Sequence, residues 1–599
     1  MEVFFKNLYT SEKPTLKDID LELFSNDLPC LSVEETNSLD SQITLNECLT
    51  SMKSMENGKS PGIDGFPVEF YNVFWLDIAD LFMKMVNCCY DKGEMSISQK
   101  RGLFITIPKK DKDPLFLKNW RPISLLNVDY KIIAKAIASR LKTYMPSIIA
   151  GDQTGFLKDR FIGENIRALF DIIDYTQEKQ LPGLLLFVDF EKAFDSIEWS
   201  FLHKTLSKFK FGDTTIRWIK TLYTNAQAAV SNNGWISQFF PISRGVRQGC
   251  PLSPYLFILC AEILAHSIRT NLNIKGIRWE SKVIKILMYA DDTTIVLDGS
   301  KESLLEAIST LNQFTAASGL KVNIEKTETM FIGSLTNSPP LDLGSESKLK
   351  WTKGPVKALG TWFSNNKSER ERLNFDSRIK QLRKILNSWS LRRLSPLGKI
   401  SVIKSLAFSI LVYNLSTLPT PEDKLVKEVK TLLFRFLWDN KNDKVKRSIV
   451  VNKYEEGGLR MIDIDCFMKA NKISWIFRYI NPNNIGQWKI AFDHELKDVG
   501  GPKFWNFFLH KKDIMHLNIS NSFLLDVISS WCDLVNFDRN NASNNFLIQP
   551  LWLNSNVRIN NRPIYYKHWV KNKIFYIGDL FHDGRLISFR EFKDKFSVK

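Results

Sequence analysis

The spacing of apolar residues predicts helices, a loop and a strand in the first two hundred residues. Residues 1 to about 100 follow a helical pattern, which is interrupted at 57–65 by a segment dense in Gly, Pro, Asn and Asp that indicates an ordered loop. The apolar run at 184–188 does not alternate and ends at Asp189, which is typical of a strand buried on both faces with a carboxylate at its end. A helix from about Ser196 to Phe209 is predicted to follow this strand.

Two further elements are predicted between residues 250 and 300. Ser253 followed by Pro254 is typical of a helix N-cap with proline at the first helical position, and the apolar spacing after them is helical. Residues 286–297 indicate two strands joined by a tight acidic turn at 290–292.

Beyond about residue 364 the pattern becomes that of amphipathic helices. Apolar residues recur at helical spacing from 379 to 389, and two more helical patterns follow at about 397–415 and 421–438. The basic residues at the other positions of the first of these helices are Arg378, Lys380, Arg383 and Lys384. These patterns predict a small basic bundle, whereas the last hundred or so residues, rich in aromatic and basic side chains, show no legible role.

Length and charge narrow the class of protein. At 599 residues the chain is too long for one domain, and its 82 Lys and Arg against 65 Asp and Glu point to a polyanionic partner, either nucleic acid or an acidic membrane. No run of 18 apolar residues and no secretory signal is evident, so we expect an intracellular protein without a membrane partner, nuclear or cytoplasmic. Its eight cysteines lack CxxC spacing, which signals neither a zinc site nor a disulfide framework.

Three carboxylates carry the candidate chemistry. Asp189 ends the predicted buried strand, and Asp291 and Asp292 lie in the predicted turn. An Asp-Asp pair in a turn is by itself more often solvated or capping. If the strand and the hairpin are neighbours in one sheet, however, the three carboxylates meet at one edge, where oxygen ligands can hold two divalent cations ~4 Å apart for phosphoryl transfer.

These residues belong to blocks that resemble a known family. The blocks 188–195 (VDFEKAFD), 245–254 (GVRQGCPLSP) and 289–292 (YADD) resemble motifs A, B and C of reverse transcriptases in their order and approximate spacing. Flanking blocks resemble those of non-LTR, LINE-type retrotransposon polymerases: 59–65, 119–125, 319–327 and 454–460, with a looser likeness at 560–564. The resemblance covers about residues 45–475.

The resemblance implies an α+β fold of the right-hand polymerase type, with helical extensions at both ends. The implied division is an N-terminal helical extension with a fingers-associated loop at 1–100, fingers and a palm with an antiparallel sheet at 101–363, a helical thumb at 364–475, and a C-terminal region of unknown role at 476–599. LINE-type reading frames usually begin with an endonuclease, and no such domain is recognisable here. We therefore expect a reverse transcriptase that lacks the N-terminal endonuclease, and assign it no target nicking.

The resemblance also implies roles at the centre of the site. Asp189, Asp291 and Asp292 would ligate two Mg²⁺ ions. Lys326 matches a lysine that is a candidate proton donor to the departing pyrophosphate, although a surface lysine fits it equally well. Arg121 and Lys109 would bind the triphosphate, with Lys110 as an alternative to Lys109.

Further roles follow from the same blocks. Phe194 lies where the family places an aromatic ring that crowds a ribose 2′-hydroxyl, the alternative being a core residue. Gln248 and Gly249 would contact the incoming nucleotide, the alternative being a purely structural turn. The segment 358–363 resembles the primer grip, or is an ordinary hairpin. The four basic residues at 378–384 would follow the backbone of an RNA–DNA duplex, or form a solvated face.

The function that the resemblance implies is RNA-directed DNA synthesis. The chain would extend a DNA 3′-hydroxyl on an RNA template, with deoxynucleoside triphosphates as substrates. An alternative is a catalytically silent retrotransposon remnant that binds RNA, and a more distant one is a group II intron maturase, for which a splicing-type basic domain and an HNH nuclease are missing. The sequence identifies neither the template RNA nor the oligomeric state.

Overall fold

The chain divides into two units, each built of helices and small sheets. The first contains Met1–Ile162 and Gln180–Lys353, and the second contains Gly163–Lys179 and Gly354–Lys599. The computed structural model describes residues 1–12, 23, 24, 27–110, 112–336, 349–507, 511–514, 517–538, 547, 549–554, 557–560, 562–582 and 584–596. Asn561, in the block 560–564, lies outside these residues. The mixed helix and sheet content confirms the expected α+β class, while the four-part division stays a prediction.

The first unit combines helices with two larger sheets. The helices are Glu2–Leu8, Val33–Leu39, Leu45–Lys53, Val68–Lys92, Ile97–Lys100, Val128–Ile148, Ala193–Ser196, Trp199–Lys208, Asp213–Tyr223, Ser253–Thr270 and Lys301–Ser318. The predicted loop at 57–65 lies between two of them, as expected from its turn residues.

The strands of the first unit are β1 Arg101–Pro108, β2 Trp120–Leu125, β3 Pro182–Val188, β4 Gln227–Asn232, β5 Trp235–Ile236, β6 Phe240–Pro241, β7 Ile277–Trp279, β8 Lys282–Ile284, β9 Ile286–Tyr289, β10 Asp292–Leu297, β11 Glu328–Gly333 and β12 Lys350–Thr352. One sheet has the order β12-β11-β3-β10-β9. Another has the order β2-β1-β4-β5, with β6 paired to β4.

The strand that carries Asp189 lies in the middle of the first sheet. Antiparallel neighbours flank β3 on both sides, and its residues from Gly183 to Val188 are all buried. This confirms the prediction from the unbroken apolar run. The hairpin of β9 and β10 is also as predicted: Asp292 pairs with Tyr289, which leaves Ala290 and Asp291 as a two-residue turn.

Two predicted helix starts are wrong. The helix expected from Ser196 begins at Trp199, because Glu198 N donates to Ser318 O at 2.9 Å and Ile197 O accepts from Gly245 N at 2.7 Å, which keeps the chain extended there. Ser253 is the first residue of its helix rather than the N-cap, which is Leu252. Its hydroxyl does not cap the helix and lies 3.4 Å from the hydroxyl of Tyr223.

The second unit is mainly helical. Its helices are residues 163–178 of Ile162–Glu178, then Lys367–Ser390, Pro396–Val402, Ser409–Thr417, Asp423–Leu437, Arg447–Val451, Ile464–Ile480, Lys489–Leu496, Lys511–Ile514, Ser522–Asp538, Lys567–Lys571 and Phe589–Phe596. Its strands form hairpins: β13 Val356–Ala358 with β14 Thr361–Phe363, β15 Arg558–Ile559 with β16 Arg562–Pro563, and β17 Phe581–His582 with β18 Arg585–Leu586.

One of the predicted basic helices is interrupted. The pattern at 397–415 becomes two α-helices separated by a π-helical segment at Ile403–Ala407, where Phe408 N donates to Ile403 O at 2.8 Å, five residues back. The two arms, Pro396–Ala407 and Ser409–Thr417, meet at 48°. Together they pass a length and composition test for a membrane span, which no single helix in the described ranges does.

Candidate active site

The sheet register brings the predicted carboxylates to one edge. Thr293 of β10 pairs with Val188 of β3, so Asp189, the next residue after β3, falls opposite Asp292. Asp291 occupies the turn immediately before Asp292. Two elements about a hundred residues apart in sequence therefore place three carboxylates at the same end of neighbouring strands.

The surroundings of these carboxylates favour bound positive charge. Burial by the neighbouring protein, together with the carboxylates of Asp291 and Asp189, raises the pKa of Asp292 to about 6. Burial also raises the pKa of Asp291, again with a contribution from Asp189. Because crowding of like charges disfavours ionisation, a divalent cation at this edge would relieve it.

The chemistry of the donor set fits a metal site, although the ligands are not assembled around one point. Carboxylate oxygens are the ligands that hard divalent cations prefer. Across the ranges that the structure describes, no three His, Cys, Asp or Glu side chains form a group able to hold a metal ion. The three aspartates thus share an edge, and closing around an ion requires adjustment of their side chains.

Cationic side chains gather beside the carboxylates. Burial lowers the pKa of Lys109, the positive charges of Lys326 and Arg121 lower it further, and Asp189 opposes this. Arg121 in turn lowers the pKa of both Asp291 and Asp292 by its charge. Lys110 is exposed, whereas Lys109 is half-buried, so the structure favours Lys109 as the residue that faces the site.

Lys326 lies directly beside the first aspartate. Its Nζ is 3.5 Å from Asp189 Oδ2, and both side chains are about half exposed. Backbone bonds hold this loop against the end of β3: Asn323 N donates to Asp189 O at 2.7 Å, and Glu191 N donates to Lys321 O at 2.8 Å. The structure therefore brings the predicted proton donor to the carboxylate edge, while its role stays a prediction.

The sequence analysis missed one lysine in the middle of the motif A block. Lys192 has a positive φ of 48° and donates through Nζ to Trp120 O, which ties this block to β2. Burial lowers the pKa of Lys192 to about 8. The feature that distinguishes Lys192 is its positive φ, which cannot be predicted from sequence because lysine rarely adopts it.

Phe194 lies among aromatic rings at the edge of the site. Its ring stacks on Phe257 with centroids 4.3 Å apart, and the ring of Phe156 meets it edge-on at 6.4 Å. Phe156 is 46% exposed, has a φ of 58°, and stacks over Tyr289 of the YADD block at 6.5 Å. Phe194 is only partly buried, so its ring is available to a ligand as well as to the core.

Gln248 and Gly249 are held between the motif A block and β2. Gln248 Nε2 donates to Asp195 Oδ1 at 2.9 Å, and Gln248 O accepts from Ser124 N at 2.7 Å. Gly249 has a φ of 109°, and a Cβ there would lie 2.6 Å from Ser124 O. A close approach of two backbone segments thus requires glycine here, as the alternative of a structural turn expects, and contact with the incoming nucleotide stays a prediction.

A second segment braces the YADD turn and was also missed. Gln153 Oε1 accepts from Ala290 N at 2.9 Å, and Thr154 N donates to Met288 O at 2.8 Å. Ala290 has a φ of 55°. A Cβ on Gly155 would lie 2.6 Å from the backbone nitrogen of Ala290. The block 152–156 (DQTGF) therefore fixes the acidic turn from outside the three motifs.

The predicted duplex-binding residues lie in the second unit, on the helix Lys367–Ser390. Lys380, Arg383 and Lys384 are exposed, and Arg378 is partly buried. Arg383 pairs with Glu428 at 2.6 Å. It lines, with Lys380, a groove of about 570 Å³ that also contains the carboxylates of Glu371, Asp376, Glu422 and Glu428. This face has mixed charge, so its contact with a nucleic acid backbone stays a prediction.

The hairpin expected to resemble the primer grip is present as β13 and β14. Its turn is made by Leu359, with a φ of 50°, and Gly360, with a φ of 72°. Tyr413 donates its hydroxyl to Leu359 O at 2.6 Å, which anchors the turn to the helix Ser409–Thr417. A primer-grip role for it stays a prediction.

Comparison with known proteins bears on these residues. Residues 107–363 match the family described as reverse transcriptase (RNA-dependent DNA polymerase). The transposon TX1 uncharacterized 149 kDa protein of Xenopus laevis is 29% identical over 88% of this chain and 40% of its own length. The RNA-directed DNA polymerase from the mobile element jockey of Drosophila melanogaster is 25% identical over 50% of this chain and 33% of its own length.

The chain thus spans 40% of the first of these relatives and 33% of the second. A structure of Candida tropicalis telomerase with a fragment of telomeric RNA is also similar, at 14% identity and a TM-score of 0.35 over 70% of this chain and 67% of that one, a likeness too slight to bear on the fold. Reverse transcriptases as a family use divalent metal ions. The matches confirm the resemblance seen in the motif blocks: the chain contains a reverse transcriptase domain of the non-LTR retrotransposon type.

Proposed function

We propose that this chain is an RNA-directed DNA polymerase that extends a DNA 3′-hydroxyl on an RNA template. The observation that carries the proposal is the register of β3 and β10, which places Asp189 opposite Asp292 beside Asp291 within the matched residues 107–363. A carboxylate edge faced by cationic side chains is the arrangement that nucleotidyl transfer requires.

The proposed cofactor is a pair of Mg²⁺ ions held by Asp189, Asp291 and Asp292. When bound, the ions would promote ionisation of the primer 3′-hydroxyl and offset the charge of the triphosphate. Oxygen ligands and the raised pKa of Asp292, about 6, support this assignment. The primer oxygen forms a bond to the α-phosphorus of the nucleotide, and the bond from that phosphorus to pyrophosphate breaks.

The chain's own side chains supply binding and a proton. Arg121 and Lys109 bind the triphosphate oxygens, for which the fork of an arginine is suited. Lys326 donates a proton to the departing pyrophosphate, and its 3.5 Å approach to Asp189 supports a position at the reacting atoms. Phe194 faces the sugar and Gln248 the rest of the nucleotide.

The proposed architecture is that of a right hand. The sheet of β3 and β10 would be the palm, the sheet of β1 and β2 the fingers, and the helices after residue 364 the thumb. The partners would be an RNA template, a DNA primer and deoxynucleoside triphosphates. The excess of 17 positive charges supports binding to nucleic acid.

The experiment is primer extension on poly(rA)/oligo(dT) with Mg²⁺ and dTTP. Asp291→Ala should abolish synthesis, by at least ~10³-fold, because it removes a metal ligand and leaves the site unable to offset the phosphate charge. RNA affinity should change little, since the residues proposed to follow the nucleic acid backbone lie on the helix Lys367–Ser390. Glu302→Gln is the matched control, because Glu302 is an exposed carboxylate at the start of the helix Lys301–Ser318.

Equal synthesis by wild type and Asp291→Ala would remove the metal assignment. Binding of RNA without extension by either form would favour a silent remnant instead. Extension with UTP but not with dTTP would show an RNA polymerase and contradict the proposal in another way.

We also propose an intracellular site of action, nuclear or cytoplasmic. Cys48, Cys89, Cys250 and Cys260 are buried thiols outside any disulfide, which supports a reducing compartment. Fractionation of cells that express the chain tests this, and recovery from the medium would contradict it.

A further inference from the structure

The helix Glu2–Leu8 ends at a tyrosine that reaches the motif A block. Tyr9 is fully buried, and its hydroxyl donates to Asp195 Oδ1 at 2.6 Å. The same oxygen accepts from Gln248 Nε2 at 2.9 Å. One buried aspartate therefore joins the N-terminal segment to the glutamine that we assign to the nucleotide site.

Backbone bonds fix the position of Tyr9. Its carbonyl accepts from Ser243 N at 2.8 Å and from Arg244 N at 3.3 Å. On either side, Arg244 Nε donates to Leu8 O at 2.8 Å, and Ser11 N donates to Ser243 Oγ at 2.7 Å. The segment is thus bonded to the chain just ahead of Gln248 at several successive residues, and its register does not depend on packing alone.

Packing around Tyr9 is equally specific. Its ring lies 5.0 Å from that of Phe104, and Phe5 packs against the same ring at 6.0 Å. Gly245 leaves room for both partners of the hydrogen bond: a Cβ there would lie 3.0 Å from Tyr9 Cε1 and 2.5 Å from Asp195 O. The loop that precedes Gln248 is therefore shaped around the tyrosine.

The chain of bonds has a chemical consequence for the glutamine. An ionised carboxylate only accepts hydrogen bonds, so Asp195 selects the amide NH₂ of Gln248 and leaves its Oε1 directed elsewhere. Asp195 Oδ2 is buried and has no hydrogen-bond partner among the described residues. Loss of the Tyr9 hydroxyl would leave this buried carboxylate with Gln248 as its one side-chain donor, which favours its rearrangement.

We infer that Tyr9 is a positioning residue of the nucleotide site, which acts through Asp195 to fix the amide of Gln248. The inference rests on the proposed function. It adds to the site a side chain that lies outside the matched residues 107–363 and about a hundred residues before them.

The test is Tyr9→Phe in the primer extension assay. Loss of a hydrogen bond to a charged group should raise KM for dTTP about three- to tenfold, while kcat and the affinity for the RNA–DNA duplex stay within about twofold. Tyr479→Phe is the matched control: Tyr479 also donates to a carboxylate, Asp493 Oδ1 at 2.8 Å, but belongs to the second unit. It should leave KM unchanged.

A double-mutant cycle distinguishes positioning from loss of stability. In the Gln248→Ala background, Tyr9→Phe should change KM less than about twofold, because the group that it positions is gone. An unchanged KM in Tyr9→Phe, or the same rise in both backgrounds, would overturn the inference while leaving the polymerase intact. A wild-type chain that extends no primer would instead contradict the proposed function, and the inference with it.

Discussion

The two units use charge in opposite ways. In the first, neighbouring charged groups shift the pKa of Asp292 and the pKa of Lys109, and strand register fixes the position of Asp292. In the second, the helix Lys367–Ser390 displays Lys380 and Lys384 to solvent, and Arg383 is paired with Glu428 across a groove. A substitution in the first unit therefore disturbs a fixed geometry, whereas one in the second changes a screened surface charge.

This difference in burial and pairing predicts where single substitutions have large effects. Groups that are buried and mutually constrained cannot relax when one of them is changed, so their effects are large and insensitive to salt. Exposed charges make small, additive contributions to the affinity for nucleic acid, and salt weakens each contribution. Four measurements test whether the two units differ in this way.

The largest effect is expected at the close approach in the first unit. Gly249→Ala should lower the free energy of unfolding by about 3 kcal/mol, because its Cβ would lie 2.6 Å from Ser124 O at a φ of 109°. Gly58→Ala is the control, since Gly58 also has a positive φ, 71°, but nothing within 4 Å. Urea unfolding measures both free energies. Equal losses in the two variants would mean that the positive φ, rather than the close approach to Ser124, causes the destabilisation.

The next effect concerns sugar selection. Phe194→Ala should reduce the preference for dTTP over UTP about 30-fold, because the ring that would crowd a 2′-hydroxyl is removed. The control is Phe331→Ala, which removes a partly buried ring stacked at 5.2 Å on Trp351 of the same sheet. Single-nucleotide extension with each triphosphate gives the ratio, and an unchanged ratio in Phe194→Ala would contradict the steric role.

A smaller effect depends on pH. Burial raises the pKa of Asp129 to about 6, so the folded state holds this proton more tightly than the unfolded state does. Stability should therefore fall as pH rises from about 4 to about 6, by about 1–2 kcal/mol for this one group. Asp129→Asn should remove that part of the slope. Parallel unfolding curves for wild type and variant across this range would contradict the prediction.

The smallest effect is expected in the second unit. Lys384→Gln should weaken RNA–DNA duplex binding about threefold and lower the salt slope by about 0.7–0.9, if its charge contacts a phosphate. Arg383→Gln should do less, because Glu428 already offsets that charge at 2.6 Å. Filter binding at several salt concentrations measures both. A larger loss from Arg383→Gln would break the comparison between the two units.

Local pattern was enough to predict the strands that carry the three aspartates, but not the pairing that brings the aspartates to one edge. The unbroken apolar run of β3 and the two short runs around Asp291 and Asp292 specify strands by themselves, and a two-residue turn brings β9 and β10 together. The pairing of β3 with β10 came from resemblance to a family, since no local feature identifies which strand is the neighbour. Residues in the strands were thus predictable, and their partners were not.

Contacts between segments that are distant in the chain could not be predicted from the sequence. Tyr9 and Asp195 are 186 residues apart, and neither residue type signals the other. Serine is a residue type that favours the N-cap position, but the hydroxyl of Ser253 lies near the hydroxyl of Tyr223 instead. In the sequence, Arg383 has no acidic partner nearby, because its partner Glu428 lies on another helix. In each case the missing information is tertiary, and propensity gives only a weak prior.

The bonds around Tyr9 also set an order of events during synthesis. Ser243 lies 234 residues after Tyr9. At about 5–20 residues per second, the ribosome needs roughly 12–50 seconds to make that interval. Phe104, which packs on Phe5 and Tyr9, is made earlier, but the hydrogen-bond partners of the Tyr9 carbonyl at Ser243 and Arg244 follow only after that interval. The first helix is therefore among the first elements to be made and among the last of the first unit's N-terminal elements to gain its backbone hydrogen bonds.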